Sequence, residues 1–95
     1  MNQLSFQAFE AAARAQGFDE VVERRWPPAK VLESHTHPFA LRALVTQGEM
    51  WLAVGDDVRH LRPGDEFALE REMPHLERYG AEGATYWVAR RTRGR

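Results

Sequence analysis

Hydrophobic and polar residues follow a helical pattern only near the N-terminus of the chain. Within residues 5–16, Phe6, Phe9 and Ala13 fall on one face of a helix, and alanines favour the helical state around them. Gly17 can end this helix because glycine adopts the left-handed conformation easily. The pattern predicts one N-terminal helix whose apolar face packs on the rest of the protein.

After residue 18, short apolar or alternating runs follow one another and are separated by residues that form turns, such as Gln47-Gly48 and the segment 80–83. Many short strands at this spacing are typical of an all-β sandwich or barrel. A parallel α/β fold would need helices between the strands, and the pattern contains none. The predicted strands are residues 19–26, 30–37, 40–47, 49–54, 58–62, 66–70, 75–79 and 84–91.

The composition adds limits on domain number and partners. A chain of 95 residues suits a single domain, which we expect to cover residues 1–95 with a helix at about 5–16 and a barrel at about 18–91. Thirteen basic and 14 acidic residues give a net charge of −1, so no overall field attracts nucleic acid or a membrane. The absence of cysteine excludes disulfides, thiolate nucleophiles and iron–sulfur clusters. We therefore expect a cytoplasmic protein without nucleic-acid or membrane partners.

Three of the four histidines have the spacing of metal ligands. His35 and His37 are separated by one residue on a predicted strand, so both imidazoles point to the same face. His75 begins another predicted strand and could supply a third ligand. Three neutral imidazoles suit zinc, iron, copper or nickel and leave coordination positions open for a substrate. The alternative is that these histidines form ordinary hydrogen bonds on the surface or in the core.

The sequence around these histidines resembles the cupin family. The run HTHPF at 35–39, followed by residues 44–45 and 48–49, is similar to the first cupin motif. The run LRPGDEF at 61–67 and Pro-His at 74–75 are similar to the second motif. The resemblance implies a double-stranded β-helix, or jelly-roll barrel, that is commonly a homodimer. It also implies a divalent transition metal between the sheets, with iron, zinc, nickel, copper and manganese as candidates.

Two positions depart from the family pattern. The first cupin motif places a glutamate four residues after its second histidine, and Leu41 occupies that position here. The second motif usually ends in asparagine, and Tyr79 occupies that position. Three neutral ligands would leave a divalent ion with its full charge, which disfavours hard ions such as manganese and makes a bound water more acidic. The alternative is that Leu41 marks a site that no longer holds metal tightly.

Other polar residues could complete the site. Glu33 shares a strand face with His35 and His37, and Glu77 shares one with His75. Either glutamate could be a fourth ligand, an acceptor that orients an imidazole, or a rim charge paired with arginine. Tyr79 lies on the same face and could point its hydroxyl into the cavity or complete a hydrophobic layer.

Two functions fit these expectations. The first is a metal-dependent enzyme, such as an oxygenase or isomerase, that acts on a small molecule. The second is a non-catalytic module that binds or senses a small ligand, as related barrels do in some sugar-responsive transcription regulators. The fold alone does not choose between them, and the sequence predicts neither the substrate nor a catalytic residue.

Overall fold

The predicted N-terminal helix is present in the computed structural model, which describes residues 5–93. Helix α1 spans Phe6–Ala15, and the hydroxyl of Ser5 caps it by accepting a hydrogen bond from a backbone N–H in the first turn. Gly17 follows the helix with a φ of 96°, as its left-handed role predicts. The buried face of α1 packs on the ring of Trp87.

Six antiparallel strands follow the helix, which confirms the prediction of an all-β fold with one helix. The strands are β1 (Glu20–Trp26), β2 (Val31–His35), β3 (Ala40–Val54), β4 (Asp57–Leu61), β5 (Glu66–Leu69) and β6 (His75–Arg91).

The two long strands, β3 and β6, pair with each other and contribute to both layers of the jelly roll. The first half of β3 pairs with β5 and with the C-terminal half of β6, which in turn pairs with β1. The second half of β3 pairs with β4 and with the N-terminal part of β6, which in turn pairs with β2. Apolar side chains fill the space between the layers, among them Leu41, Val45, Met50, Leu52, Leu61, Phe67 and Val88.

The sequence predicted strand breaks at Gln47-Gly48 and within 80–83, and both predictions are wrong. β3 and β6 continue through these segments, with shifts in their pairing register on either side of Gly48. Gly48 and Gly83 have φ values of 74° and 75°, which glycine adopts without strain. A Cβ atom on Gly48 would lie 2.1 Å from the carbonyl oxygen of Gly83. The glycines therefore permit a bend and a close approach of two backbones instead of ending the strands.

The predicted strand 30–37 is also shorter than expected, because β2 ends at His35. His37 lies in the segment that connects β2 to β3. Pro38 accounts for this end, since proline has no N–H to donate and restricts the residue before it. The carbonyl of His37 accepts a hydrogen bond of 2.8 Å from the backbone N–H of Glu72, which holds the segment against the loop before β6. Within residues 5–93, no helix has the length and apolar character needed to span a membrane.

Candidate metal centre

Three histidines and one glutamate converge at one end of the barrel. His35 is the last residue of β2 and pairs in register with His75, the first residue of β6. His37 approaches from the connecting segment, and Glu77 lies on the same face of β6 as His75. One possible ligand atom from each of these four residues lies within 4.8 Å of all the others. Donors about 2 Å from an ion lie at most about 4 Å apart, so small side-chain adjustments would complete a coordination shell.

Backbone carbonyls fix the orientation of two of the imidazoles. Nδ1 of His35 lies 2.6 Å from the carbonyl oxygen of Glu33, and Nδ1 of His75 lies 2.9 Å from that of Met73. A carbonyl oxygen only accepts hydrogen bonds, so each Nδ1 carries the hydrogen. In the neutral imidazole, Nε2 then keeps a free lone pair and can bind a metal ion.

The Nε2 atom of His75 is buried and has no hydrogen-bond partner within residues 5–93. It lies 3.2 Å from Oε2 of Glu77, and the side chain of His75 is only 1% exposed. Buried polar side-chain atoms in proteins nearly always have a partner. A metal ion held between His75 and Glu77 would satisfy this atom, so the site fits such an ion.

Glu77 is buried, with 4% of its side chain exposed, so the interpretation as a rim charge paired with arginine is wrong. Its Oε1 accepts a hydrogen bond from the hydroxyl of Tyr79, and its Oε2 lies 3.9 Å from Nε2 of His35. Burial alone would raise the pKa of Glu77, but the contacts with His75 and Tyr79 outweigh burial and lower that pKa. The carboxylate therefore carries a negative charge inside the cluster.

The histidines differ in their electrostatic surroundings. Burial lowers the pKa of His37, and the neighbouring imidazoles of His75 and His35 lower it further. Burial would also lower the pKa of His75, but the Glu77 carboxylate and the Met73 carbonyl outweigh it and raise that pKa. The lowered pKa keeps His37 neutral at pH 7, so it can bind a metal through a lone pair.

The remaining residues singled out from the sequence surround this group. Leu41 is buried in the core and lines the cavity, so no carboxylate enters from β3. The side chain of Glu33 is exposed at the cavity wall and is not one of the four clustered residues. Only the backbone carbonyl of Glu33 takes part in the site, by orienting His35. Tyr79 combines both roles considered for it. Its hydroxyl contacts Glu77, and its ring stacks on Trp26 in the core with 5.4 Å between the ring centroids.

Two buried tyrosines form a polar network behind Glu77. Tyr86 accepts a hydrogen bond of 3.0 Å from the indole N–H of Trp26. Burial raises the pKa of Tyr79 and of Tyr86, so both hydroxyls keep their protons. The network holds the Glu77 carboxylate through Oε1, while Oε2 is the oxygen nearest to His35 and His75.

A cavity of about 350 Å³ opens onto the cluster between the two layers. His35, His37 and Glu77 contribute to its wall, and most of the other lining side chains are apolar. Two arginines that were not among the predicted site residues, Arg24 of β1 and Arg90 of β6, also line the cavity. Alternation along β1 and β6 could have placed them on the inward face. The other lining residues are Trp26, Val31, Leu32, Glu33, Phe39, Leu41, Phe67, Tyr86 and Val88.

Several solved structures share this fold. The chain has a TM-score of 0.66 and 19% identity to an RmlC-like cupin from Shewanella frigidimarina, covering 77% of this chain and 66% of that one. The polyketide cyclase RemF from Streptomyces resistomycificus gives a TM-score of 0.63 and 24% identity, covering 82% of this chain and 59% of RemF. A deletion mutant of the oxalate decarboxylase OxdC from Bacillus subtilis gives a TM-score of 0.67 and 23% identity, covering 74% of this chain and 20% of OxdC.

These likenesses establish the fold alone, and the chain spans less than two thirds of the length of RemF and of OxdC. No curated protein matches the sequence significantly. The family comparison is more specific, because residues 17–91 match the model of the AraC-like ligand binding domain. This match covers the whole barrel and most of the chain. The protein therefore belongs to the family of AraC-like ligand binding domains, with a cupin-type fold.

Proposed function

We propose that this protein binds a divalent transition-metal ion through His35, His37, His75 and Glu77, and that it acts on a small molecule bound in the adjoining cavity. The observation that carries the proposal is the convergence of four ligand atoms around a buried Nε2 that has no hydrogen-bond partner. A bound ion would supply Lewis acidity at the wall of the cavity.

Glu77 changes the charge expected for the site. Three imidazoles would leave a divalent ion with its full charge, whereas the Glu77 carboxylate reduces the formal charge to +1. In this proposal, Glu77 of β6 supplies the carboxylate that the family pattern places at the position of Leu41. A mixed nitrogen and oxygen donor set suits iron, zinc, nickel, copper and manganese, and the Mn(II) centres of Bacillus subtilis oxalate decarboxylase support including manganese.

The reaction that we favour is that of a metal-dependent oxygenase or isomerase. The apolar side chains of the cavity wall would cover part of a bound molecule and keep water away from that part. Glu77 provides a fixed negative charge beside the site, because the Tyr79 hydroxyl donates to its carboxylate. The hydroxyls of Tyr79 and Tyr86 stay protonated, because burial raises the pKa of both. Several structural neighbours are enzymes by name, including the cyclase RemF and an oxalate oxidase.

Elemental analysis of the purified protein tests the metal site. We expect about one ion per chain in the wild type and a loss of most of it in the His35→Ala, His37→Ala double variant. His60→Ala is the matched control, because His60 also contacts a glutamate, Glu49 at 2.7 Å, but lies outside the cluster. Equal metal content in the double variant and the control, after loading with iron, zinc, nickel, copper or manganese, would contradict the proposal.

The second candidate function is a binding or sensing module without catalysis. The match to a ligand-binding domain family favours it specifically. The two functions differ in what happens to a bound molecule. Compounds that raise the melting temperature of the metal-loaded protein would be incubated with it in air and recovered for mass spectrometry. Unchanged compounds support the sensing module, and converted compounds support the enzyme.

A homodimer is part of the proposal. Val58 and Leu76 are 62% and 39% exposed and lie on either side of Ala53 in the sheet register. This apolar row on the outer face of the β2 layer suits a second copy of the chain. Light scattering after size exclusion should give about twice the monomer mass of 10.9 kDa, and Leu76→Glu should lower it. A wild-type mass equal to the monomer contradicts this part of the proposal.

A further inference from the structure

Two guanidinium groups face the cavity from the layer opposite β2. Arg90 of β6 forms an ion pair of 3.0 Å with Glu20, and its guanidinium lies 5.1 Å from the centroid of the Phe39 ring. The ring of Phe39 in turn stacks on His37. The Nε atom of Arg90 is buried and has no hydrogen-bond partner within residues 5–93. The wall next to the histidines therefore contains an unused N–H donor.

Arg24 of β1 has more free donors than Arg90. Its guanidinium lies 4.7 Å from the centroid of the Trp26 ring, and it forms no ion pair or side-chain hydrogen bond with any of residues 5–93. The neighbouring Arg25 points to the other face of β1 and pairs with Glu23. Arg24 is half-buried and lines the cavity, so its donors are only partly hydrated and are available to a ligand.

The charges of the cavity favour an anion once a metal ion is bound. Four lining side chains are formally charged, and they balance, since Arg24 and Arg90 oppose Glu33 and Glu77. A divalent ion at the cluster would give the lining a formal charge of +2, or of +1 when Glu20, the partner of Arg90, is included. The uncharged part of the wall is mostly apolar, so a matching ligand needs an apolar body beside its anionic group.

We propose that the cavity binds a small organic carboxylate with an apolar, ring-sized body. Arg24 holds the carboxylate, because a guanidinium presents two parallel N–H donors that match the two carboxylate oxygens. The body packs against Trp26, Phe39 and Phe67, and its far end faces the histidine cluster. This inference builds on the proposed function, since it names the substrate class of the same cavity. The cavity volume of about 350 Å³ lies near the lower end of the usual range for ligand pockets, so the ligand must be small.

Calorimetric titration with phenylacetate and phenylacetamide tests this inference on the protein with its metal content measured. The two probes have nearly the same shape and differ in charge. We expect phenylacetate to bind at least about tenfold more tightly than phenylacetamide. Arg24→Gln should remove this preference, and Arg24→Lys should restore part of it. Arg25→Gln is the matched control on the opposite face of the same strand, and it should behave like the wild type.

Three results would overturn the inference. They are equal affinity for the acid and the amide, equal behaviour of Arg24→Gln and Arg25→Gln, and no binding of phenylacetate, 3-phenylpropionate or hexanoate. The wild-type comparison stands even if a variant fails to fold. Metal content separates the two proposals, because a metal-free protein that still prefers the acid contradicts only the metal site. A metal-loaded protein without this preference contradicts only the carboxylate.

Discussion

Replacement of Glu77 by glutamine tests whether the buried carboxylate is a metal ligand. Glu77→Gln keeps the size of the side chain and an oxygen that can accept the hydrogen bond from Tyr79, but it removes the negative charge that faces His75. Changing a group that only contacts a metal ligand typically costs about 10–100-fold in metal affinity, so replacing a charged ligand by a neutral one should weaken binding by at least about 100-fold.

This loss converts into a measurable change in thermal stability. At a metal concentration 100 times the wild-type Kd, binding stabilises the folded state by about 2.7 kcal/mol. With a 100-fold weaker affinity, the same concentration gives about 0.4 kcal/mol. A change of 1 kcal/mol shifts the Tm of a domain of this size by about 4–8 °C. The metal-induced rise in Tm should therefore fall from about 11–22 °C in the wild type to about 2–3 °C in Glu77→Gln.

The assay is thermal unfolding, followed by circular dichroism, with and without added metal. Glu49→Gln is the matched control, because Glu49 contacts His60 at 2.7 Å in an exposed pair outside the cluster. Its metal-induced rise in Tm should equal that of the wild type. An equal rise in Glu77→Gln, with the metal-free variant folded, would refute the reasoning that Glu77 ligates the ion.

Three further substitutions test the network, the bend and the helix cap. Tyr79→Phe removes the hydroxyl that donates to Glu77, so urea unfolding of the metal-free protein should show a free energy of unfolding lower by about 1–3 kcal/mol. Metal titration of the same variant should show weaker binding, and unchanged values in both assays would contradict the network. Gly48→Ala should lower the free energy of unfolding by about 2–4 kcal/mol in the same assay, because its Cβ would lie 2.1 Å from the carbonyl oxygen of Gly83. Gly55→Ala has open space around its Cβ and should lower it by about 1 kcal/mol, through the positive φ alone. Equal losses in the two variants would count against the close approach. Ser5→Ala should cost about 1 kcal/mol through loss of the helix cap, and an unchanged urea midpoint would contradict that role.

Local sequence patterns were sufficient to predict the class of fold. The alternation along the chain and the turn residues gave antiparallel strands, and the cupin-like motifs gave the barrel. The continuity of β3 and β6 was not predictable from the same signals, because Gly48 has the same local preference in a turn as in a bend within a strand. The close approach of Gly83, which comes from a distant part of the chain, is visible only in the folded structure.

The histidines of the candidate site were predictable from the sequence, and Glu77 was one of two candidate carboxylates, but its burial was not predictable. The spacing of His35, His37 and His75 indicated one cluster, and these three residues do lie together in the structure. The burial of Glu77 was not predictable, since a glutamate in the core is unfavourable unless partners offset its desolvation. Those partners are His75 and Tyr79, which lie two residues before and after Glu77 on β6, and only the folded barrel shows that the face they share is buried.

The distribution of charge between the two layers connects the metal site with the cavity. The β2 layer carries His35, His75 and Glu77, with His37 in the segment that follows β2, and the negative charge of Glu77 is buried beside them. The facing layer carries Arg24 and Arg90, and Arg24 has no anionic partner within residues 5–93. An ion on one wall and the Arg24 guanidinium on the other would both attract an anion, so charge alone does not orient the bound molecule. The two parallel N–H donors of Arg24 match a carboxylate, and this fit is the reason that we propose for the carboxylate to lie at Arg24 and for the opposite end to face the ion.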